Sequence, residues 1–259
     1  MISLGWVFAV LIGCHSVTLA RSFRQHEKHT SSWRLWWIRA LLVGVIYDNY
    51  VLFLTSLFDL QSLQFLYPLR FLLHSLLLPF LAPYSYDCMQ EAGKIARATK
   101  TQLSAKPLPV KTDHKPASLL EYAPWAVFAV SLVWNVYHEY LLLELEEATF
   151  VDPFLDHGKF AFSNFTRYVK ASKEPPLATI AVNILAILGG WVVLVRIRWM
   201  WLLLASSAIF IVNGASVNHP YGLILGNIME VFFAVSLLAT ERHLITTAAL
   251  ATNPSRKDL

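Results

Sequence analysis

Charge is scarce in this chain. Only 15 % of its 259 residues are Asp, Glu, Lys or Arg, against 56 % hydrophobic, and the mean hydropathy is +0.49. A soluble domain of this length could not cover so much apolar surface, which excludes a soluble enzyme or a nucleic-acid-binding module. Cysteine is scarcer still. Cys14 and Cys88 are far apart, form no disulfide framework and no CxxC motif, and read as two small apolar residues. Histidine and acid spacings of the HxxxH or HExxH kind are missing, so no metal site is expected. There is no GxSxG and no glycine-rich phosphate loop, and no cofactor is expected. No lysine falls inside any long apolar stretch, which excludes a retinal Schiff-base pigment.

What the chain does have is apolar runs. A membrane span needs about 20 predominantly apolar residues. Seven stretches qualify: 2–20, 35–58, 63–86, 119–143, 177–195, 199–217 and 221–240. The pattern predicts an all-α, polytopic integral membrane protein with one transmembrane domain over 1–259 and about seven helices in one bundle. The first stretch has neither a basic n-region nor a clear small-residue cleavage site, so it reads as a helix and not a signal peptide. Only "RIR" at 196–198 separates the fifth and sixth, which predicts a tight helical hairpin.

The basic residues set the expected orientation. With seven spans, loop 21–34, loop 87–118, the "RIR" turn and tail 241–259 share one side and carry fifteen of the 21 Lys and Arg. The other side, dominated by loop 144–176, carries four: Lys159, Arg167, Lys170 and Lys173. By the positive-inside rule the basic side is cytoplasmic. The N-terminus is then lumenal or extracellular and the C-terminus cytoplasmic, in the endoplasmic reticulum membrane if the source is eukaryotic. The sequon "NFT" at 164–166 falls on the lumenal side. Residues 87–118 read as a cytoplasmic linker loop, its Lys- and Pro-bearing second half without apolar periodicity.

Inside this apolar frame stands "GVIYDNYVLFL", residues 44–54, with Asp48 at its middle. An ionisable group at mid-bilayer costs about 3 kcal/mol on insertion scales, so it should face the bundle interior and have partners. The sequence offers Arg70 and His74 in the third span, Asn135, His138 and Glu139 in the fourth, Asn213 in the sixth, and Asn227 and Glu230 in the seventh. Counting inward from the lumenal ends, Asp48, His74 and Glu230 lie roughly 14–16 Å deep, Arg70, Asn135 and Asn227 about 9–12 Å, and Glu139 and Asn213 about 6 Å. The cytoplasmic half is nearly bare except for Arg39, close enough to its interface to snorkel. Arg70 and His74 are i, i+4; Asn135 and Glu139 are i, i+4; Asn227 and Glu230 are i, i+3. Each helix thus offers one polar stripe. Tyr47 and Trp134 lie at similar levels.

A carboxyl in a water-poor, aromatic-lined cavity favours its protonated form and can serve as a general acid. On an apolar polyene or epoxide it can start carbocation chemistry, with aromatic faces stabilising the cation. The small size, the seven helices and one acid each in the second and last spans resemble the integral-membrane terpene cyclases of meroterpenoid pathways. In that family a Glu in the second helix and an Asp near the end are thought to deliver the initiating proton. By position Asp48 and Glu230 correspond, with the acid types exchanged and "YDN" standing where the family has a Trp-Glu pair. The resemblance implies a cyclase acting on an isoprenoid or isoprenoid epoxide. Asp48 and Glu230 would be catalytic, and Arg70, His74, Asn135, Glu139, Asn227, Tyr47 and Trp134 would hold the substrate.

Other readings of the same stripe stay open. It would serve a proton-coupled or small-solute transporter. It would equally serve a receptor-like or structural protein in which polar groups only join helices. A sterol or lipid isomerase would use the same acid–base logic. Arg70 also bears on the choice: a close cation would keep Asp48 ionised, leaving Glu230 as the better donor.

Overall fold

The computed structural model describes residues 5–26, 32–58, 64–103, 119–144, 177–216 and 221–252. Among them every regular element is helical. In chain order they are α1 (Gly5–His26), α2 (Trp33–Thr55), a 3-10 turn Gln64–Leu66, α3 (Tyr67–Leu77), a 3-10 turn Leu78–Phe80, α4 (Leu81–Leu103), α5 (Leu119–Glu144), α6 (Leu177–Ile197), α7 (Trp201–Ser216) and α8 (Gly222–Thr252). Since no gap separates α3 from α4, helical backbone forms seven runs among the described residues, each overlapping a stretch where the composition predicts a span. Among the same residues four stretches are long and apolar enough to cross a membrane: Gly5–Arg24, Trp33–Thr55, Leu177–Ile197 and Gly222–Ala251. Trp201–Ala215 is a shorter apolar helix. The outward faces carry large apolar side chains such as Val10, Val130, Leu188, Trp191, Val195 and Ile211. Such a surface is consistent with a membrane protein, for which lipid is the solvent.

The main core joins α2, α4, α6, α7 and α8 through Ile38, Leu42, Leu81, Tyr84, Cys88, Ala186, Val193, Leu202, Ala205 and Leu237. Two adjacent glycines let helices approach closely there. A Cβ on Gly190 would meet the Leu203 backbone nitrogen at 2.5 Å, and one on Gly189 would meet Ser85 Cβ at 3.0 Å. Adjacent positions on α6 therefore bring its backbone against α7 on one side and α4 on another, as small residues do between membrane helices. The α6–α7 hairpin is as tight as "RIR" predicts. Arg198 takes φ 58°, the left-handed conformation that ends many helices, and its N–H donates to the Leu194 carbonyl at 2.9 Å.

Three expectations need correction. The stretch 63–86 is not one straight span. Pro79 lacks an N–H and its ring crowds the preceding turn, so a 3-10 turn breaks the run there. The Leu77 carbonyl at the break accepts the Trp37 indole N–H at 2.9 Å. Loop 87–118 is also not a loop throughout, because α4 continues to Leu103. Cys88, Ala92 and Ile95 are buried at i, i+4, i+7 while Lys94 and Arg97 point out, a helical period within a charged stretch. Tail 241–259 likewise begins as helix. α8 runs to Thr252 because Glu241 and Leu244 are buried on one face. Residues 104–118, most of loop 144–176 with Asn164, and 253–259 lie outside the described residues.

Arg39 does not snorkel. It is buried between α1 and α2, where its Nη2 donates to the Ser22 carbonyl at 2.9 Å and its Nε to Ser22 Oγ at 3.2 Å. Its guanidinium also lies over the rings of Phe23 and Trp36, 4.3 and 4.9 Å from their centroids.

Gly190→Ala should lower stability by about 1–3 kcal/mol, because the new methyl displaces the α7 backbone itself. Gly13, with nothing within 4 Å of its added Cβ, is the control. Gly13→Ala should be neutral or stabilising by up to about 1 kcal/mol. Thermal unfolding of both variants in one detergent measures the difference.

Candidate functional site

The site is built where α2, α3 and α8 meet. α2 starts from an N-cap, with Ser32 Oγ accepting the Leu35 N–H at 3.2 Å, and carries Asp48 four turns later on its buried face. Asp48 is 2 % exposed and Arg70, on α3, 4 %. The Arg70 Nε donates to Asp48 Oδ1 in a short contact, and Nη2 lies 3.4 Å from Oδ2. This is a fork-to-fork pair in which both charges are removed from solvent. One turn on, His74 sits between the two acids. Its Nδ1 is 3.8 Å from Asp48 Oδ1 and 3.1 Å from the Arg70 carbonyl, while its Nε2 is 3.8 Å from Glu230 Oε1 on α8. The i, i+4 spacing of Arg70 and His74 is what lets one short helix present both to the acids. Tyr47 fixes where that helix begins, since its hydroxyl donates to the Leu66 carbonyl at 3.0 Å.

Asp48, Arg70, His74 and Glu230, picked out by depth, are therefore brought together. The two acids are not equivalent. Asp48 has both oxygens engaged by Arg70. Glu230 has Oε1 facing His74, and its buried Oε2 has no hydrogen-bond partner among the described residues. Asn227, one turn from Glu230, is buried. Its amide N–H donates to the Leu223 carbonyl at 2.8 Å, and its Oδ1 has no partner among those residues. On α5 the expected contributors fit less well. Trp134 is 40 % exposed and Asn135 only half-buried. The side chains of His138 and Glu139 lie outside the described residues. Asn213 is exposed, with its Oδ1 next to Gly226 on α8. Among the described residues no group of three or more His, Cys, Asp or Glu could hold a metal ion.

Two features escaped the sequence reading. One is His15 on α1, 0 % exposed and within electrostatic reach of both Glu230 and Asp48. In "LIGCHSVTL" no polar residue stands one turn before it, and Thr18, one turn after it, reads as a packing hydroxyl.

The other is a second buried ion pair at the opposite end of the same helices. Arg34 Nε lies 2.7 Å from Glu241 Oε2 and its Nη2 3.3 Å from Oε1, with Glu241 0 % exposed. Ser32 Oγ donates to Glu241 Oε1 at 2.5 Å, so the carboxylate sits at the N-terminus of α2, where the helix dipole favours it. Asp87 on α4 completes the group, taking the Trp33 indole N–H at 2.7 Å and lying 3.7 Å from Arg34 Nη1. The half of the helices expected to be cytoplasmic is thus not bare. Arg34 and Glu241 stood at expected span edges, where a charge looks interfacial.

Asp48→Asn should strand the Arg70 guanidinium and cost about 3–5 kcal/mol, as should Glu241→Gln at the Arg34 pair. In each case the paired replacement (Asp48→Asn with Arg70→Met, Glu241→Gln with Arg34→Met) should cost less than the sum of its single changes, which a double-mutant cycle of unfolding free energies measures. Additive costs would show that the charges do not interact.

No protein-family model matches the chain, and neither a curated protein nor a solved structure matches it, so the chemistry of the site has to be argued from its own geometry.

Proposed function

We propose that the protein is a membrane-embedded acid–base enzyme that cyclises or isomerises an apolar isoprenoid or isoprenoid epoxide, with Glu230 as the acid. The observation that carries this is the asymmetry of the two carboxyls. Arg70 engages both oxygens of Asp48, so that carboxyl has no free oxygen to present to a substrate. Glu230 keeps one buried oxygen unpartnered and has His74 beside the other. In this scheme Glu230 gives its proton to a substrate double bond or epoxide oxygen, which leaves a carbocation that closes a ring or shifts its charge. The carboxylate–imidazole couple then takes a proton from the adjacent carbon, which forms the product double bond and returns the site to its first state. No atom is gained or lost. Asp48 is an anchor: it fixes Arg70, and through α3 it holds His74 at Glu230.

The arrangement proposed around this site is a bundle of seven spans, with the N-terminus lumenal or extracellular and the C-terminus cytoplasmic. It rests on the Lys and Arg asymmetry of the loops. A second reading, proton-coupled transport, draws on the ionisable groups that run from His15 through Glu230 and His74 to Asp48. Solute flux in sealed vesicles that depends on a pH gradient would favour it.

Membranes holding the protein, incubated with radiolabelled isoprenoids and their epoxides, should form a cyclised or isomerised product. Glu230→Gln should reduce turnover by about two to four orders of magnitude with the protein still folded, whereas Asp48→Asn should act first on stability. Full turnover by a folded Glu230→Gln protein would rule out this acid. Tags at both ends, probed by protease in sealed microsomes, should be digested only at the C-terminus; digestion of both would rule out an odd number of spans.

A further inference from the structure

The apolar cluster of Phe8, Leu11, Leu52, Leu223 and Ile224 marks where the faces of α1, α2 and α8 meet. One helical turn further along each of those faces the residues become polar. His15 follows Leu11 at i+4 on α1, Asn49 precedes Leu52 by three on α2, and Asn227 follows Leu223 by four on α8, with Glu230 a turn beyond. His15, Asn49 and Asn227 are all buried. Among the described residues, four of their atoms and one of Glu230 have no hydrogen-bond partner: both ring nitrogens of His15, Oδ1 of Asn49, Oδ1 of Asn227 and Oε2 of Glu230. Leaving such groups unsatisfied costs about 1–3 kcal/mol each, so five along one three-helix seam require an occupant.

The chemistry of the set selects that occupant. The Asn49 and Asn227 amide nitrogens are already used on the Val45 and Leu223 carbonyls, at 2.8 Å each. Only the carbonyl oxygens of those side chains remain, and they accept. A neutral imidazole adds one acceptor and one donor, and a carboxylate oxygen accepts. The seam is rich in acceptors and needs a guest that donates more than once. An apolar substrate cannot do so. Water can, and the site supplies the two to four polar partners that a buried water takes.

We propose that the α1–α2–α8 seam is a water-binding site in which His15, Asn49 and Asn227 hold ordered water against the Glu230 carboxyl, and that His15 passes protons through that water. The transfer is balanced. A protonated His15 gives its ring proton to the water oxygen, and the water gives one of its own protons to Glu230 Oε2. Imidazolium and carboxylate become imidazole and carboxylic acid, and the water is unchanged. His15 is a positioning and relay residue: through the water it exchanges the proton of Glu230, at the carboxyl oxygen that His74 does not face. The relay rests on the acid role proposed for Glu230; the water site does not.

The test uses the full chain in nanodiscs. A density map that resolves ordered water should show it within hydrogen-bond reach of the His15 ring and the Asn227 Oδ1. A seam without such density, or one filled by an acyl chain, overturns the water site. For the relay, the carboxylic acid C=O band in the infrared, assigned by its loss in Glu230→Gln, is followed on transfer to D2O. His15→Gln keeps a polar side chain but cannot carry a proton, and should retain the water density while slowing exchange of that band by roughly tenfold or more. Equal exchange in His15→Gln and wild type overturns the relay. If wild type shows no acid band assignable to Glu230 at any pH, the acid itself is wrong and the relay falls with it, while the density still decides the water site.

Discussion

A guanidinium and a carboxylate facing each other inside an apolar bundle impose more order on this protein than any apolar contact does. Removing one partner from such a pair leaves a buried charge with nothing to answer it, at a cost of several kcal/mol. Asp48 and Arg70 must therefore meet, and their meeting fixes α3 against α2. Once α3 is fixed, His74 has one place to be, and that place is beside Glu230. The break at Pro79 fits this constraint. It makes α3 a short unit whose position answers to the ion pair and to the Trp37–Leu77 hydrogen bond rather than to the direction of α4. The site is thus assembled by its own electrostatics, within a frame of helices that close backbone contacts hold together.

The two acids differ in their surroundings. One carboxyl is answered by Arg70 at both oxygens, and the other lies beside an imidazole. The proposed scheme uses that difference, giving one the role of anchor and the other that of donor. Two carboxyls of equal standing would compete for Arg70, and neither role would be secure.

The sequence exposed some of this and hid the rest for physical reasons. Asp48, Arg70, His74 and Glu230 were legible because a charged residue deep in an apolar run has few explanations, and helical rise converts its position into depth. The depths of Asp48, His74 and Glu230 agreed before any fold was known, Arg70 was placed a turn nearer the surface, and the structure joins the four. Arg34 and Glu241 were not legible by that method. A charge near the end of an apolar run is the common condition of a membrane helix, and only tertiary contact reveals that both are buried. The helical period of Cys88, Ala92 and Ile95 was present, but the charges between them hid it from a reading based on apolar length. His15 failed for a third reason: its face continues in Thr18 and Ser22, hydroxyl residues that read as packing between membrane helices, and its meaning comes from α2 and α8.

The second ion pair has a mechanical consequence. Arg34 and Glu241 tie α2 directly to α8, while Asp48, Arg70, His74 and Glu230 tie them again through α3. Along the helices the two ties stand about 16–21 Å apart, from fourteen residues on α2 and eleven on α8. A plate held by one pin swings; held by two, it does not. Sliding α8 by a single residue, about 1.5 Å, would spoil both ties at once. α2 and α8 are thus held in register, while His74 and Glu230, with side chains 29 % and 22 % exposed, keep part of their surface open to a guest.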